Sequence, residues 1–226
     1  MTGDVFPGWL AITIAFLSPL LLAYAARFWD LAENPRAIAI HFIAGAALAF
    51  VALLAEGFAY SLFATSIPAG YGIIVRAFVF VALVEEVLKI SQIAQLAESH
   101  RADTLKEVGS IAIAVAAGFA GAENVIYLFR YSGDVVNLLG IRVLTAVPLH
   151  LATAVVTAHF LVKTRKGHDN LHFLAIAVIV ATSIHGLYDY LIIESRGHSF
   201  SYLFVLGFAV SWAWRIVSAA KADKVK

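Results

Sequence analysis

The segment VALVEEVLKI, residues 81–90, sets Glu85, Glu86 and Lys89 inside an apolar run. On a water-soluble helix the pattern would be an ordinary charged face. Here the rest of the chain forbids that reading. Its 226 residues are 62% hydrophobic and 14% charged, against about 25% charged in a soluble domain. That is more apolar surface than a soluble core hides. The class is therefore all-α, a polytopic transmembrane helix bundle forming one integral-membrane domain over 1–226. A net charge of +1 offers no basic face for nucleic acid. The lack of cysteine excludes disulfides, thiolate nucleophiles and Cys-ligated metals.

A crossing helix needs roughly 20 apolar residues. Seven segments qualify: 8–26, 37–63, 70–97, 108–130, 139–162, 171–193 and 200–218. The stretch TSIPAGYG, Thr65–Gly72, is the place for an eighth short helix or a re-entrant turn. The N-terminus has no basic region and no small-residue cleavage site, and reads as the start of the first span. Charge asymmetry orients the bundle. One side holds Arg27, Arg36, Arg101, Lys106, Lys163, Arg165, Lys166, Arg215, Lys221, Lys224 and Lys226. The other holds Arg130, Arg142 and Arg196, with Arg76 near its boundary. The N-terminus is thus expected outside and the C-terminus in the cytoplasm.

Drawing the spans leaves a few polar side chains at membrane depth. Span three supplies Glu85, Glu86 and Lys89; span four, Glu123 and Asn124; span five, His150; span six, His185 and Asp189. A charge at mid-bilayer costs at least ~2.5–3.5 kcal/mol, so these groups must face one another at the centre of spans three to six. Lys89 is four residues from Glu85 and three from Glu86, within helical reach of both. Gly118 and Gly121 would let a neighbouring helix approach span four closely, and Pro148 would loosen span five near His150. Four carboxyls against one lysine leave either protonated carboxyls or a bound cation. The first outcome suits general acid–base chemistry. The second suits a His/Glu/Asp cage for zinc, with Glu85, Glu123, His150 and His185 as the candidate ligands.

These stretches, EEVLK at 85–89, FAGAEN at 119–124, the lone His150 and HGLYD at 185–189, resemble in order and spacing the PrsW family of intramembrane proteases. That family is grouped with the CAAX prenyl endopeptidases and bacterial ABI proteins and is distantly similar to the APH-1 subunit of γ-secretase. The resemblance covers about 70–193. It implies a glutamate-dependent intramembrane endopeptidase of a prokaryotic plasma membrane, cutting a membrane protein or a lipidated peptide. Glu85 or Glu86 would activate a water, Glu85 being favoured, with Glu86 and Lys89 in support. Glu123, His150 and His185 would line the site. Asp189 would orient His185 or help bind the oxyanion, which a neutral His or Asn124 would also stabilise. The family is often described as metal-dependent, but the chain has no H-E-x-x-H.

Each residue also has a plainer role. Glu86–Lys89 taken singly is a buried ion pair, and Asn124 a link between helices. His41 and His159 sit in the bundle without chemistry, while His168 and His172 are solvated. Glu56 is placed to face a cavity but has no legible partner. Arg76 and Arg142 snorkel to the outer surface, and Trp9, Trp29, Trp212 and Trp214 anchor the interfaces. Two other functions use the same polar core: an ion- or proton-coupled transporter, and a non-catalytic APH-1-like scaffold. A scaffold tolerates Glu85→Gln; a protease does not.

Overall fold

The computed structural model describes residues 8–25, 35–68, 70–130, 133–166, 170–195 and 199–222. Arg27, Trp29, His168, Arg196, Lys224 and Lys226, and the side chains of Arg165 and Lys166, lie outside the described residues. In an apolar solvent every backbone N–H and C=O needs a partner within the chain, and the described residues are mostly helical, without strands. The helices run α1 Gly8–Ala25, α2 Pro35–Phe63, α3 Gly72–Val75, a π-helical stretch Arg76–Leu83, α4 Val84–Ser99, α5 Leu105–Arg130, α6 Val135–Leu144, α7 Ala146–Lys166, α8 Asn170–Glu194 and α9 Tyr202–Ala222.

Among the described residues six helical segments are long and apolar enough to cross a membrane, and they fall on the first, second, fourth, fifth, sixth and seventh expected spans. The third, 70–97, has a different construction. Its helical turns are unbroken from 72 to 99, but the hydrogen-bond register shifts to π over Arg76–Leu83 before α4 begins at Val84. No single piece of it is span-length. The described residues of the TSIPAGYG stretch form no separate α-helix. Ala64–Ser66 make one 3-10 turn, and Tyr71 N–H donates to the Pro68 carbonyl at 3.1 Å. Gly70 adopts φ 95° there, a value open to glycine.

The fifth span is broken as well. Pro148 has no N–H to give the carbonyl four residues back, that of Leu144. The helix stops at that point, and Thr145 takes φ −127°, ψ −60° between α6 and α7. The loosening expected from Pro148 therefore falls on the turn before it, and turns α6 into a separate arm. Asp134 caps this arm, accepting from the N–H groups of Val136 and Asn137. Thr104 and Glu107 cap α5 reciprocally: Thr104 N–H donates to Glu107 Oε2, and Glu107 N–H to Thr104 Oγ1.

α5 and α7 form the centre, with most of their residues buried. The other helices turn large apolar side chains such as Leu21, Leu54, Phe58 and Phe204 outward, as a lipid-facing surface requires. Trp9 and Trp214 are exposed at the periphery, whereas Trp212 packs on Phe160 and Phe208. α1 and α2 dock on α5 through glycines. A Cβ on Gly118 would land on the Phe42 carbonyl of α2, one on Gly45 on the Val115 carbonyl of α5, and one on Gly121 on the Phe16 carbonyl of α1. These contacts bring backbone against backbone, the mode by which helices associate in lipid.

Gly118→Val should therefore destabilise the bundle by about 1–3 kcal/mol through overpacking. Gly57→Ala, whose Cβ would meet nothing within 4 Å, should be neutral. Thermal unfolding of the purified variants in detergent checks both.

Candidate active site

The π-helical stretch delivers α4 into the interior. It packs on α8 so closely that a Cβ on Gly186 would lie 2.6 Å from the Phe78 ring. α4 then starts with Glu85 and Glu86 in its first turn and Lys89 one turn on, all three at most 3% exposed.

Lys89 is the hub. Its Nζ donates to Glu86 Oε1 at 2.7 Å, lies 3.5 Å from Glu85 Oε2 and 3.1 Å from His150 Nδ1, and sits 4.7 Å from the Phe119 ring centroid. An ammonium only donates, so His150 Nδ1 accepts. The hydrogen of that ring is then on Nε2, which donates to Glu123 Oε2 at 2.9 Å. His185 comes in from α8, its Nδ1 2.8 Å from Glu86 Oε1 and 3.9 Å from Glu85 Oε2. Its Nε2 lies 3.4 Å from Asp189 Oδ2, and its ring meets that of His150 edge-on at 5.1 Å. All six residues expected to be catalytic, with Lys89, thus lie in one connected cluster.

Spacing alone leaves Glu85 and Glu86 equivalent toward Lys89; the distances separate them. Glu86 is held by two donors, whereas Glu85 Oε2 is buried without a hydrogen bond among the described residues. Both histidines turn one nitrogen outward to a carboxylate, Glu123 or Asp189, and the other inward. Glu85, His150 and His185 bring one donor atom each within 4.8 Å of one another. Glu123, also expected as a ligand, stands outside this group because its carboxylate engages His150 and Arg142.

Arg142 corrects the reading as a snorkelling surface residue. The break at Thr145 turns α6 so that the side chain points inward. Its guanidinium lies 2.9 Å from Glu123 Oε2, donates from Nε to Asn124 Oδ1 at 2.7 Å, and stacks 3.8 Å from the Tyr127 ring centroid. Asn124 is fully buried, and its amide donates to the Ala15 carbonyl of α1 at 3.3 Å. Its donor is thus directed at α1. Glu56 is half-buried on α2. Sequence reading missed the inward turn of Arg142, whose only signal was a charge within an apolar segment. His41 is buried away from the cluster, with its ring against His100 at 5.1 Å.

Removing one partner of a buried ion pair costs about 3–5 kcal/mol because the other charge is stranded. Lys89→Met should show a loss of that size in unfolding, and Lys89→Met/Glu86→Gln should recover much of it. Glu85→Gln, at a carboxylate oxygen with no donor, should change stability by less than about 1 kcal/mol.

Residues 33–215 match the family described as PrsW family intramembrane metalloprotease. The chain is also 29% identical over 195 residues to Protease PrsW of Clostridioides difficile (strain 630), with 80% of each chain covered. No solved structure matches. Helices long enough to span a bilayer, a buried cluster of acids and histidines, and a match over most of its length together place this chain in the PrsW family of intramembrane proteases.

Proposed function

We propose that the cluster hydrolyses a peptide bond of a membrane-embedded or lipidated substrate, with Glu85 activating the water. The observation that carries this reading is the buried, unbonded Oε2 of Glu85 beside two histidines whose far nitrogens rest on carboxylates. Glu85 takes the water's proton. Lys89 and Glu86 hold Glu85 and His185 in place. His185, backed by Asp189, passes a proton to the leaving amine. Glu123 keeps His150 oriented. The N-terminus is outside and the C-terminus cytoplasmic, from the excess of basic residues at the end holding Arg101 and Lys106. The cluster then leans toward the outer leaflet.

A second reading is favoured by the family's description and by the three converging donors. Two imidazoles and a carboxylate are the donor set of catalytic zinc sites, and a carboxylate behind a ligating His is their usual support. Glu85, His150 and His185 would hold the ion, His150 Nδ1 giving up its hydrogen bond from Lys89 and His185 Nδ1 the hydrogen it shares with Glu86. When bound, zinc supplies a water acidified toward neutral pH and a Lewis acid for the carbonyl. Glu86, with Lys89 as its counter-ion, is then the carboxylate left to move protons.

The test uses single-span reporter proteins tagged at both ends and co-expressed with the protease. Glu85→Gln and His185→Ala should each lower cleavage by about 10²–10⁴-fold. Equal products from wild type and all variants would sink the protease reading in favour of a scaffold or transporter. Chelation with zinc add-back separates the two mechanisms. Activity lost to chelator and restored by zinc assigns the water to the ion; activity that survives chelation assigns it to Glu85.

A further inference from the structure

Arg142 takes no part in the steps above, yet its guanidinium is committed on three sides. It reaches in from α6, beyond the break at Thr145, with only 12% of its side chain exposed. It grips two successive residues of α5, Glu123 through the ion pair and Asn124 through Nε. Asn124 is anchored in turn to the Ala15 carbonyl, and the flat face of the guanidinium lies on Tyr127.

The oxygen it grips decides what this does. Glu123 Oε2 lies 2.9 Å from Arg142 and also 2.9 Å from His150 Nε2. Arg142 therefore neutralises and fixes the atom that receives the His150 hydrogen. With that hydrogen held on Nε2, the Nδ1 lone pair faces inward toward Lys89, Glu85 and His185. Without the guanidinium, Glu123 would be a buried carboxylate with no strong cation at hydrogen-bond distance. It would then be free to rotate, and rotation releases the imidazole.

We infer that Arg142 is a positioning residue for the hydrolysis: by holding Glu123 it holds His150 in the tautomer that presents Nδ1 to the reacting centre, and it does not touch the substrate. This rests on the role of His150 in cleavage. A merely structural arginine, bolting α6 to α5, would predict something different.

The test is a double-mutant cycle in proteoliposomes, using a tagged single-span reporter that the wild-type protein cleaves, with rates expressed per folded protein. Arg142→Gln should lower kcat by ~10–100-fold, the usual size of an orienting-residue effect, and leave KM within about twofold, as expected for a residue that makes no substrate contact. Glu123→Gln should do the same. The Arg142→Gln/Glu123→Gln pair should be no slower than the slower single variant, because both changes act on one hydrogen bond. Arg142→Lys keeps the charge but not the two-pronged grip. It should fall between wild type and Gln, and it serves as the reporting variant if Arg142→Gln does not fold. Losses that multiply in the double variant, an unchanged kcat in Arg142→Lys or Gln, or an effect confined to KM would each overturn the inference. The proposed chemistry fails separately, through Glu85→Gln cleaving as well as wild type.

Discussion

One ammonium group organises this molecule. Lys89 Nζ lies within 3.5 Å of two carboxylates from its own helix and of a histidine from α7. A carboxylate or an ammonium in such surroundings is costly alone and tolerable only when paired. Two cations, Lys89 and Arg142, stand against four carboxyls in the cluster, Glu85, Glu86, Glu123 and Asp189. Glu86 is satisfied by Lys89 and His185, Glu123 by Arg142 and His150. The shortage falls on Asp189 and Glu85: Asp189 has His185 Nε2 at 3.4 Å, and the deeper Glu85 keeps an Oε2 without a hydrogen bond among the described residues. A carboxylate left over within an otherwise closed network is the group most available to a water, an ion or a substrate proton.

The fold supplies the surroundings this arrangement needs. α5 presents glycines to α1 and α2, so three backbones come into contact beside the helix that carries Glu123. The π stretch carries α4 inward against α8, a geometry that recurs at functional sites. The break before Pro148 separates α6 from α7, and this sends Arg142 back toward Glu123. Both of these departures from a plain membrane helix, the π stretch and the break at Thr145, lie beside the site. The remaining helices are unremarkable apolar cylinders with lipid-facing flanks.

Much of this was legible in the residues. Ionisable groups are so costly in lipid that their presence on four successive spans already implies a shared interior. The glycines of α5 implied close approach. Other features leave no mark in a sequence. A π turn adds one residue per turn, and RAFVFVAL is apolar at every register apart from its arginine. Arg142 lies near the expected end of a span, where a long basic side chain normally reaches for water. Only the break at Thr145 reverses it. Glu85 and Glu86 are equivalent by spacing, and only their distances to Lys89 and His185 separate them.

The central claim is that peptide hydrolysis occurs within the membrane-spanning bundle, at the level of Glu85. Mass-spectrometric mapping of reporter products formed in ¹⁸O-labelled water tests this most directly. The new carboxyl terminus should carry ¹⁸O, and the cut should lie inside the reporter's apolar segment, in its outer half. A cut in the aqueous flank of the reporter, or a product terminus without ¹⁸O, would contradict the claim.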